Sequence, residues 1–189
     1  METFKKFTTL VGASLLVLCS IQAFAATAAP ANDSTITNSI KSQIQSNNIL
    51  SSTTVSVNTK NGMVTLTGNL KTDDQASEII QIAQSTPGVT DVDAAGLKVE
   101  TSNQPFSDTV ITAKVKGMYM KEKLFGDMPI SMTGIKVETK NGVVYLTGTV
   151  DTATQATTAS KLAKGVSGVK TVDSKIAVKG TESNQSNPQ

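Results

Sequence analysis

Apolar residues recur at every fourth position in two stretches of the chain that lie 75 residues apart. The two sets are Ile36, Ile40 and Ile44, and Ile111, Val115 and Tyr119. Because a spacing of four places side chains on one face of an α-helix, each stretch predicts an amphipathic helix. An aspartate stands at the start of each stretch, Asp33 in the first and Asp108 in the second. We expect both to cap their helices by accepting hydrogen bonds from the first backbone N–H groups.

Each predicted helix is followed by two segments in which apolar and polar residues alternate. The segments are joined by Asn61-Gly62 in the first stretch and by Asn141-Gly142 in the second. Asn-Gly suits a type I′ turn, which needs a positive φ at both central positions, and it is the strongest short signal for a hairpin. The pattern predicts antiparallel strand pairs, at 55–59 with 64–70 and at 135–139 with 144–150.

A second helix and a third strand complete each stretch. Thr72 with Gln75, and Thr152 with Gln155, fit the capping box that opens a helix. We expect these helices to end at Gly88 and Gly168 and to be followed by strands at 92–99 and 172–178. A helix between two strands permits them to pair in parallel, so the third strand is expected to lie beside the hairpin.

The two stretches are copies of one unit. Residues 57–68 return as residues 137–148 without a gap, whereas the first helices align with an offset of 75 because the second copy has five extra residues around 125–133. The sequence therefore predicts an α+β protein of two tandem αββαβ domains. Each domain is expected to be a three-stranded mixed sheet with two helices on one face. The predicted segments are a signal peptide at 1–25, a linker at 26–32, domain one at 33–100, a linker at 101–106, domain two at 107–179 and a disordered tail at 180–189.

The first 25 residues have the composition of a cleavable secretory signal. Lys5 and Lys6 precede an apolar run at 10–18, and Ala23-Phe24-Ala25 offers a small-x-small cleavage site. Cleavage after Ala25 predicts export to the periplasm. The apolar run is far shorter than the roughly 20 residues of a membrane span, which disfavours an anchor.

A lipoprotein is a rival interpretation of the same segment. It would use Cys19, the single cysteine of the chain, as the site of acylation. The residue before such a cysteine is expected to be small, and Leu18 is not. The interpretation as a cleaved signal peptide is therefore preferred.

Composition narrows the classes of function. The chain has no His, Arg or Trp, and it carries 17 Lys against 15 Asp and Glu, a net charge of +2. Nucleophile systems that need an imidazole and His-ligated metal sites are excluded. The sequence contains no block of consecutive cations, so the charge pattern does not indicate nucleic-acid binding. We therefore expect a protein that is not an enzyme and that uses no metal, small-molecule cofactor or nucleic acid.

Taken together, the motifs resemble those of the BON domain, a small αββαβ module of bacterial envelope proteins. The first copy carries NG at 61–62, VTLTG at 64–68 and GVTDVD at 88–93; the second carries NG at 141–142, VYLTG at 144–148 and GVKTVD at 168–173. The resemblance covers most of the chain beyond residue 32. It implies a non-enzymatic stress protein of the envelope that contacts phospholipid or acts as a chaperone for other envelope proteins.

The first helices of the two copies differ in charge. A projection of residues 109–124 at 100° per residue puts the apolar stripe on one side and both lysine and apolar residues on the opposite side, where copy one has only Lys41 among polar residues. Cations beside apolar side chains suit the surface of an anionic bilayer. The candidate lipid-binding residues are Lys116, Met120, Lys121, Lys123, Leu124 and Phe125.

Two other interpretations remain open at this stage. The same side of the helix is also consistent with a solvated surface on which Met120 or Leu124 packs against the other domain. The protein is also consistent with a soluble chaperone or adaptor that binds envelope proteins through an exposed sheet face or an edge strand.

Overall fold

The computed structural model describes residues 32–102, 105–125 and 134–179. The predicted signal peptide, the linker up to residue 31 and the predicted tail from residue 180 lie outside these residues. The first domain consists of α1 (Asp33–Ser46), β1 (Thr54–Lys60), β2 (Met63–Thr72), α2 (Asp73–Ser85) and β3 (Asp91–Thr101). The second consists of α3 (Phe106–Phe125), β4 (Ile135–Lys140), β5 (Val143–Val150), α4 (Ala153–Lys164) and β6 (Thr171–Val178).

The two domains share one sheet topology. In each sheet the middle strand, β2 or β5, pairs antiparallel with the strand before it and parallel with the strand after the helix. The hairpin turns are Asn-Gly, with φ of 52° at both Asn61 and Asn141 and positive φ at both glycines. The predicted α+β fold of two tandem αββαβ domains with mixed sheets is confirmed.

The helical stripes lie in the two cores, as predicted. Ile36, Ile40 and Ile44 are buried with the inward residues of β2 and with Ile79 and Ile80 of α2. Tyr119 is buried in the second core, where its hydroxyl donates to the Ala159 carbonyl oxygen at 2.8 Å. Because burial disfavours the phenolate, the pKa of Tyr119 lies above its ordinary value.

The expected capping role of the two aspartates is wrong. The cap of α1 is Asn32, whose side-chain oxygen accepts from the Thr35 N–H at 2.8 Å. Asp33 instead accepts from the backbone N–H groups of Asn61 at 2.7 Å and Gly62 at 2.9 Å. These two donors have no partner across the strand pair, because the register ends at Lys60 and Met63. The carboxylate therefore accepts hydrogen bonds from the unpaired N–H groups of the hairpin turn rather than from those at the start of the helix.

The second domain repeats this contact. Asp108 accepts from the N–H groups of Asn141 at 2.7 Å and Gly142 at 2.9 Å. Helix α3 begins two residues before Asp108, at Phe106, so this aspartate is within the first turn. Each copy thus ties the start of its first helix to the tip of its hairpin, across about 30 residues of chain.

The second helices end earlier than the glycines suggest. Helix α2 ends at Ser85, where the Thr86 hydroxyl donates to the Ile82 carbonyl at 2.8 Å, and α4 ends at Lys164 with Gly165 as its cap. Gly88 and Gly168 lie in the loops that follow, with φ of 88° and 92°. The predicted helix ends are therefore wrong, since these glycines shape the entry into the third strand.

The two predicted capping boxes differ. The one at Thr152 and Gln155 is complete, with each side chain bonded to the backbone of the other residue. In the first copy the Gln75 N–H donates to Thr72, but the Gln75 carboxamide accepts from the Lys71 N–H.

Candidate interaction surface of helix α3

Helix α3 has two buried faces, one toward each domain. The predicted stripe of Ile111, Val115 and Tyr119 packs in the core of the second domain. A second face of the helix packs against α2 of the first domain. Ala113 on that second face is fully buried in the core of the first domain, and Phe106 and Val110 pack against the same core. The two domains are therefore joined by a shared helix as well as by the chain.

The approach of α3 to α2 depends on a glycine. A Cβ atom at Gly117 would lie 2.7 Å from Gln84 Cβ and 2.9 Å from the Gln81 carbonyl oxygen. Contacts this short do not occur for real side chains, so only glycine permits this helix separation. Gln84 is itself buried, and its side-chain oxygen has no hydrogen-bond partner within the described part of the chain.

An ion pair with a buried lysine and a partly exposed aspartate lies at the edge of this contact. The Lys114 ammonium is 2.9 Å from Asp91 Oδ1 and donates to Ser167 Oγ at 2.8 Å, and Ser167 donates to Asp91 Oδ2 at 2.8 Å. The Lys114 side chain is only 7% exposed. Burial opposes ionisation of Asp91, but the hydrogen bonds from Lys114, Ser167 and the backbone, together with the Lys114 charge, outweigh it and lower the pKa of Asp91.

Replacing Asp91 by asparagine is expected to cost about 2 kcal/mol of stability at pH 7, because Lys114 would remain buried without a counter-charge. This figure is below the usual range for buried pairs, since the Asp91 side chain is 31% exposed. A carboxylate with a lowered pKa stabilises the fold above its ordinary pKa of 3.8, and this stabilisation is lost as the pH falls through the folded value. Urea unfolding at pH 7 and pH 3 measures the difference in the free energy of unfolding between the variant and the natural chain at each pH.

The matched control is Asp151→Asn, which removes an exposed pair with Lys179 at 2.7 Å. It should change stability by less than about 0.5 kcal/mol. Equal costs for the two variants, or a cost for Asp91→Asn that does not shrink toward pH 3, would contradict a buried pair between the domains.

Lys121 also takes part in the contact between the domains. Its ammonium donates to the Val89 carbonyl oxygen of the first domain at 2.7 Å. Because the ammonium is partly buried there, the pKa of Lys121 is lowered. Of the candidate lipid-binding residues, this lysine is directed toward the first domain rather than to solvent.

The remaining candidate residues with a described side chain share one strip of the helix, half-exposed at Lys116 and exposed at the other three positions, which we call the α3 strip. It comprises Lys116, Met120, Lys123 and Leu124. Leu124 is 61% exposed and Met120 is 36% exposed, so neither is covered by the other domain. The side chain of the sixth candidate, Phe125, lies outside the described residues. Two lysines and two apolar side chains therefore lie together on a helix that both domains hold in place.

The second buried face of α3 is a feature that sequence reasoning missed. The signal was present in the difference between the copies: Val110, Ala113 and Gly117 stand where α1 has the polar residues Thr35, Asn38 and Ser42. Small and apolar residues on a second helix face indicate contact with another element.

The outer faces of the sheets were the other candidate surface. They are mostly polar, but Met63 on the first sheet is 41% exposed and Tyr145 on the second is 36% exposed. These two side chains occupy the same face of β2 and β5 at neighbouring positions of the repeat.

No helix among the described residues is long and apolar enough to cross a membrane. A separate search of the same residues finds no group of three or more Asp, Glu, Cys or His side chains able to hold a metal ion.

Residues 32–101 and 107–180 each match the family model of the BON domain. The chain belongs to the BON domain family, with two copies of the domain. It is similar to osmotically-inducible protein Y of Escherichia coli strain K12, with 35% identity over 153 residues, 78% of this chain and 73% of that protein. These findings support a protein of the osmotic stress response that is associated with the cell envelope.

Two solved structures of CdsD, a structural protein of the type III secretion system of Chlamydia trachomatis, also match. Each is 15% identical to this chain, with TM-scores of 0.31 and 0.32. The matches cover 78% and 82% of this chain and 67% and 70% of those chains.

Proposed function

We propose that this protein is a periplasmic osmotic-stress protein that binds the surface of anionic phospholipid membranes through the α3 strip. The observation that carries the proposal is the placement of Lys116 and Lys123 beside the exposed side chains of Met120 and Leu124. Export through the predicted signal peptide would bring the protein to the two membranes of the envelope.

The chemistry of the strip fits a bilayer surface. A lysine near an anionic leaflet contributes about 1 kcal/mol to binding, and apolar side chains on the same helix face enter the boundary between headgroups and acyl chains. Leu124 is the most exposed large apolar residue of the described chain. Because α3 is packed between two domains, it is already helical before it meets a membrane, so binding does not have to order it.

The double variant Lys116→Gln, Lys123→Gln is expected to bind vesicles that contain phosphatidylglycerol about thirtyfold more weakly, since two contributions of about 1 kcal/mol are lost. Co-sedimentation at low salt measures the affinity. Binding of the natural chain should weaken as salt rises and should be undetectable on neutral phosphatidylcholine vesicles.

Lys60→Gln, Lys140→Gln is the matched control, because these exposed lysines at the hairpin ends give the same change in charge away from α3. Lys121→Gln is a third arm, and we expect little change because that ammonium is held by the Val89 carbonyl. If the control weakens binding as much as the α3 variant, the attraction is one of net charge and the assignment to the strip is wrong.

A second candidate function, a chaperone or adaptor for envelope proteins, is supported by Met63 and Tyr145 on the outer sheet faces. Exposed apolar side chains on a sheet suit contact with an extended client segment. Suppression of client aggregation that is lost in Met63→Ser, Tyr145→Ser and kept in the α3 variant, with no binding to any vesicle, would favour this function over the first.

A further inference from the structure

The second domain carries a surface that corresponds to the docking site of α3 on the first domain. We call this surface the α4 groove by analogy with that docking site, and its apolar residues are Leu162, Val169, Val172 and Ile176. All four pack against the second core but are partly exposed. Their counterparts in the first domain are Ile82, Val89, Val92 and Leu97, and all four are buried. Ile176 and Leu97 correspond through the sheet register, since each is paired with the glycine of the middle strand.

Helix α3 lies against this part of the first domain. Ala113 of α3 lies within the first core, and Val110 packs against it. Lys121 reaches the Val89 carbonyl, and Lys114 reaches Asp91, which is next to Val92. In the second domain α4 is the last described helix, so no described helix follows it to take the corresponding place. The same four apolar positions are therefore left partly open to solvent.

The border of the α4 groove is cationic, unlike the site that holds α3. Gln81 and Gln84, which face Gly117, are replaced by the exposed residues Lys161 and Lys164. Thr90 is replaced by Lys170, which is also exposed. No described carboxylate lies within ion-pair distance of these three lysines. An apolar groove with such a border complements a helix that carries acidic residues beside an apolar stripe.

Among the described helices, α2 carries Asp73 and Asp74 beside an apolar stripe, but that stripe is buried in the first core. The face of α1 that corresponds to the docking face of α3 is polar, with Thr35, Asn38 and Ser42. Helix α3 is already buried on two faces, and it carries four lysines that the border of the groove would repel. The described helices of a second copy therefore supply no matching occupant.

We propose that the α4 groove binds an acidic amphipathic helix of another protein, in the position that α3 occupies on the first domain. A membrane is the less fitting occupant because these four apolar residues are only partly exposed, whereas Leu124 is 61% exposed. This proposal is independent of lipid binding by α3.

The probe is a synthetic peptide of residues 106–125 in which Lys114, Lys116, Lys121 and Lys123 are replaced by glutamate. The peptide keeps the apolar stripe that docks on the first domain and has the charge that the α4 groove requires. The comparison peptide has the natural lysines. Each is titrated into the ¹⁵N-labelled chain without its predicted signal peptide, with NMR shifts locating the site and fluorescence anisotropy giving the Kd.

We expect saturable binding of the acidic peptide, shift changes confined to α4, β6 and the loop between them, and at least about tenfold weaker binding of the natural peptide. Lys161→Glu, Lys164→Glu should weaken binding of the acidic peptide at least about tenfold. Lys60→Glu, Lys140→Glu, which changes the charge equally at the hairpin ends, should change it less than about twofold. Both pairs are exposed, so the amide spectrum should confirm folding.

Three results would overturn the proposal. They are no saturation below about 1 mM, shift changes outside the α4 groove, and equal loss of binding in the two double variants. Loss of binding to phosphatidylglycerol vesicles in Lys161→Glu, Lys164→Glu, with unchanged peptide binding, would also overturn it and identify a membrane contact instead.

Discussion

Replacing Gly117 by valine is expected to separate the two domains and to cost about 3 kcal/mol of stability or more. The new Cβ would meet Gln84 Cβ at 2.7 Å and the Gln81 carbonyl oxygen at 2.9 Å, and a backbone oxygen in a helix cannot move aside alone. Helix α2 and helix α3 must then part, which exposes Ala113 and opens the pair between Lys114 and Asp91. Urea unfolding monitored by circular dichroism measures the cost, and amide exchange in α2 reports the separation.

Ser42→Val is the matched control for this variant. Ser42 occupies the position of α1 that corresponds to Gly117 and is exposed, so the same side chain meets no neighbour. It should change stability by less than about 0.5 kcal/mol. A similar loss in both variants would mean that valine acts through helix propensity, and the interface would then not depend on the glycine.

Replacing Asp108 by alanine is expected to cost about 3 kcal/mol. Asp108 is 3% exposed, and its carboxylate accepts from two N–H groups of the hairpin turn, so its removal leaves the buried Gly142 N–H and the partly buried Asn141 N–H without this acceptor. A hydrogen bond to a charged group contributes about 1.5–3 kcal/mol, and an orphaned buried donor costs about 1–3 kcal/mol. Urea unfolding of the chain without its predicted signal peptide measures the loss.

The repeat provides the comparison variant, Asp33→Ala. Asp33 makes the same two contacts at the same distances but is more exposed, so water replaces the lost acceptor at a lower cost, about half that at Asp108. Asp108→Asn should fall between the natural chain and Asp108→Ala, because one oxygen acceptor remains. An alanine cost at Asp108 that is no larger than at Asp33 would show that burial of the turn contributes little.

The fold could be predicted from local signals because each signal acts within a few residues. Asn61-Gly62 and Asn141-Gly142 require a positive φ that fixes the hairpins, and the fourfold spacing of Ile36, Ile40 and Ile44 fixes a helix face. The self-similarity of the two copies then doubled the evidence for each element. These local features were therefore enough to predict the domain topology without knowledge of tertiary contacts.

The roles of the two aspartates could not be predicted in the same way. An aspartate before a helical stripe satisfies the local rule for a cap, and Asn32 satisfies it as well. Which of them caps the helix depends on where the hairpin tip lies, and that position is set by packing of the sheet on the helix. Asp33 and Asp108 contact residues that lie 28 to 34 positions later in the chain, and a local sequence pattern cannot predict such contacts.

The residues of the α3 strip could be predicted from the sequence, whereas the contact of Lys121 with the first domain could not. Lys116, Met120, Lys123 and Leu124 share a strip because helical periodicity alone separates them from the core stripe. Lys121 lies about 100° further round the helix, and its contact with Val89 depends on the position of the first domain. The lipid-binding role of the strip stays a prediction that the vesicle assay decides.

The chain between the two domains is short, since β3 ends at Thr101 and α3 begins at Phe106. A tether of this length holds α3 near α2 at an effective concentration in the millimolar range or above. The interface includes Ala113, Phe106 and Val110 of α3 and the contact of Lys121 with the Val89 carbonyl oxygen, and each contact forms more readily because the two domains belong to one molecule. Cutting the chain between Thr101 and Phe106 would remove this effective concentration, so docking of α3 on α2 would then depend on the concentration of the two pieces.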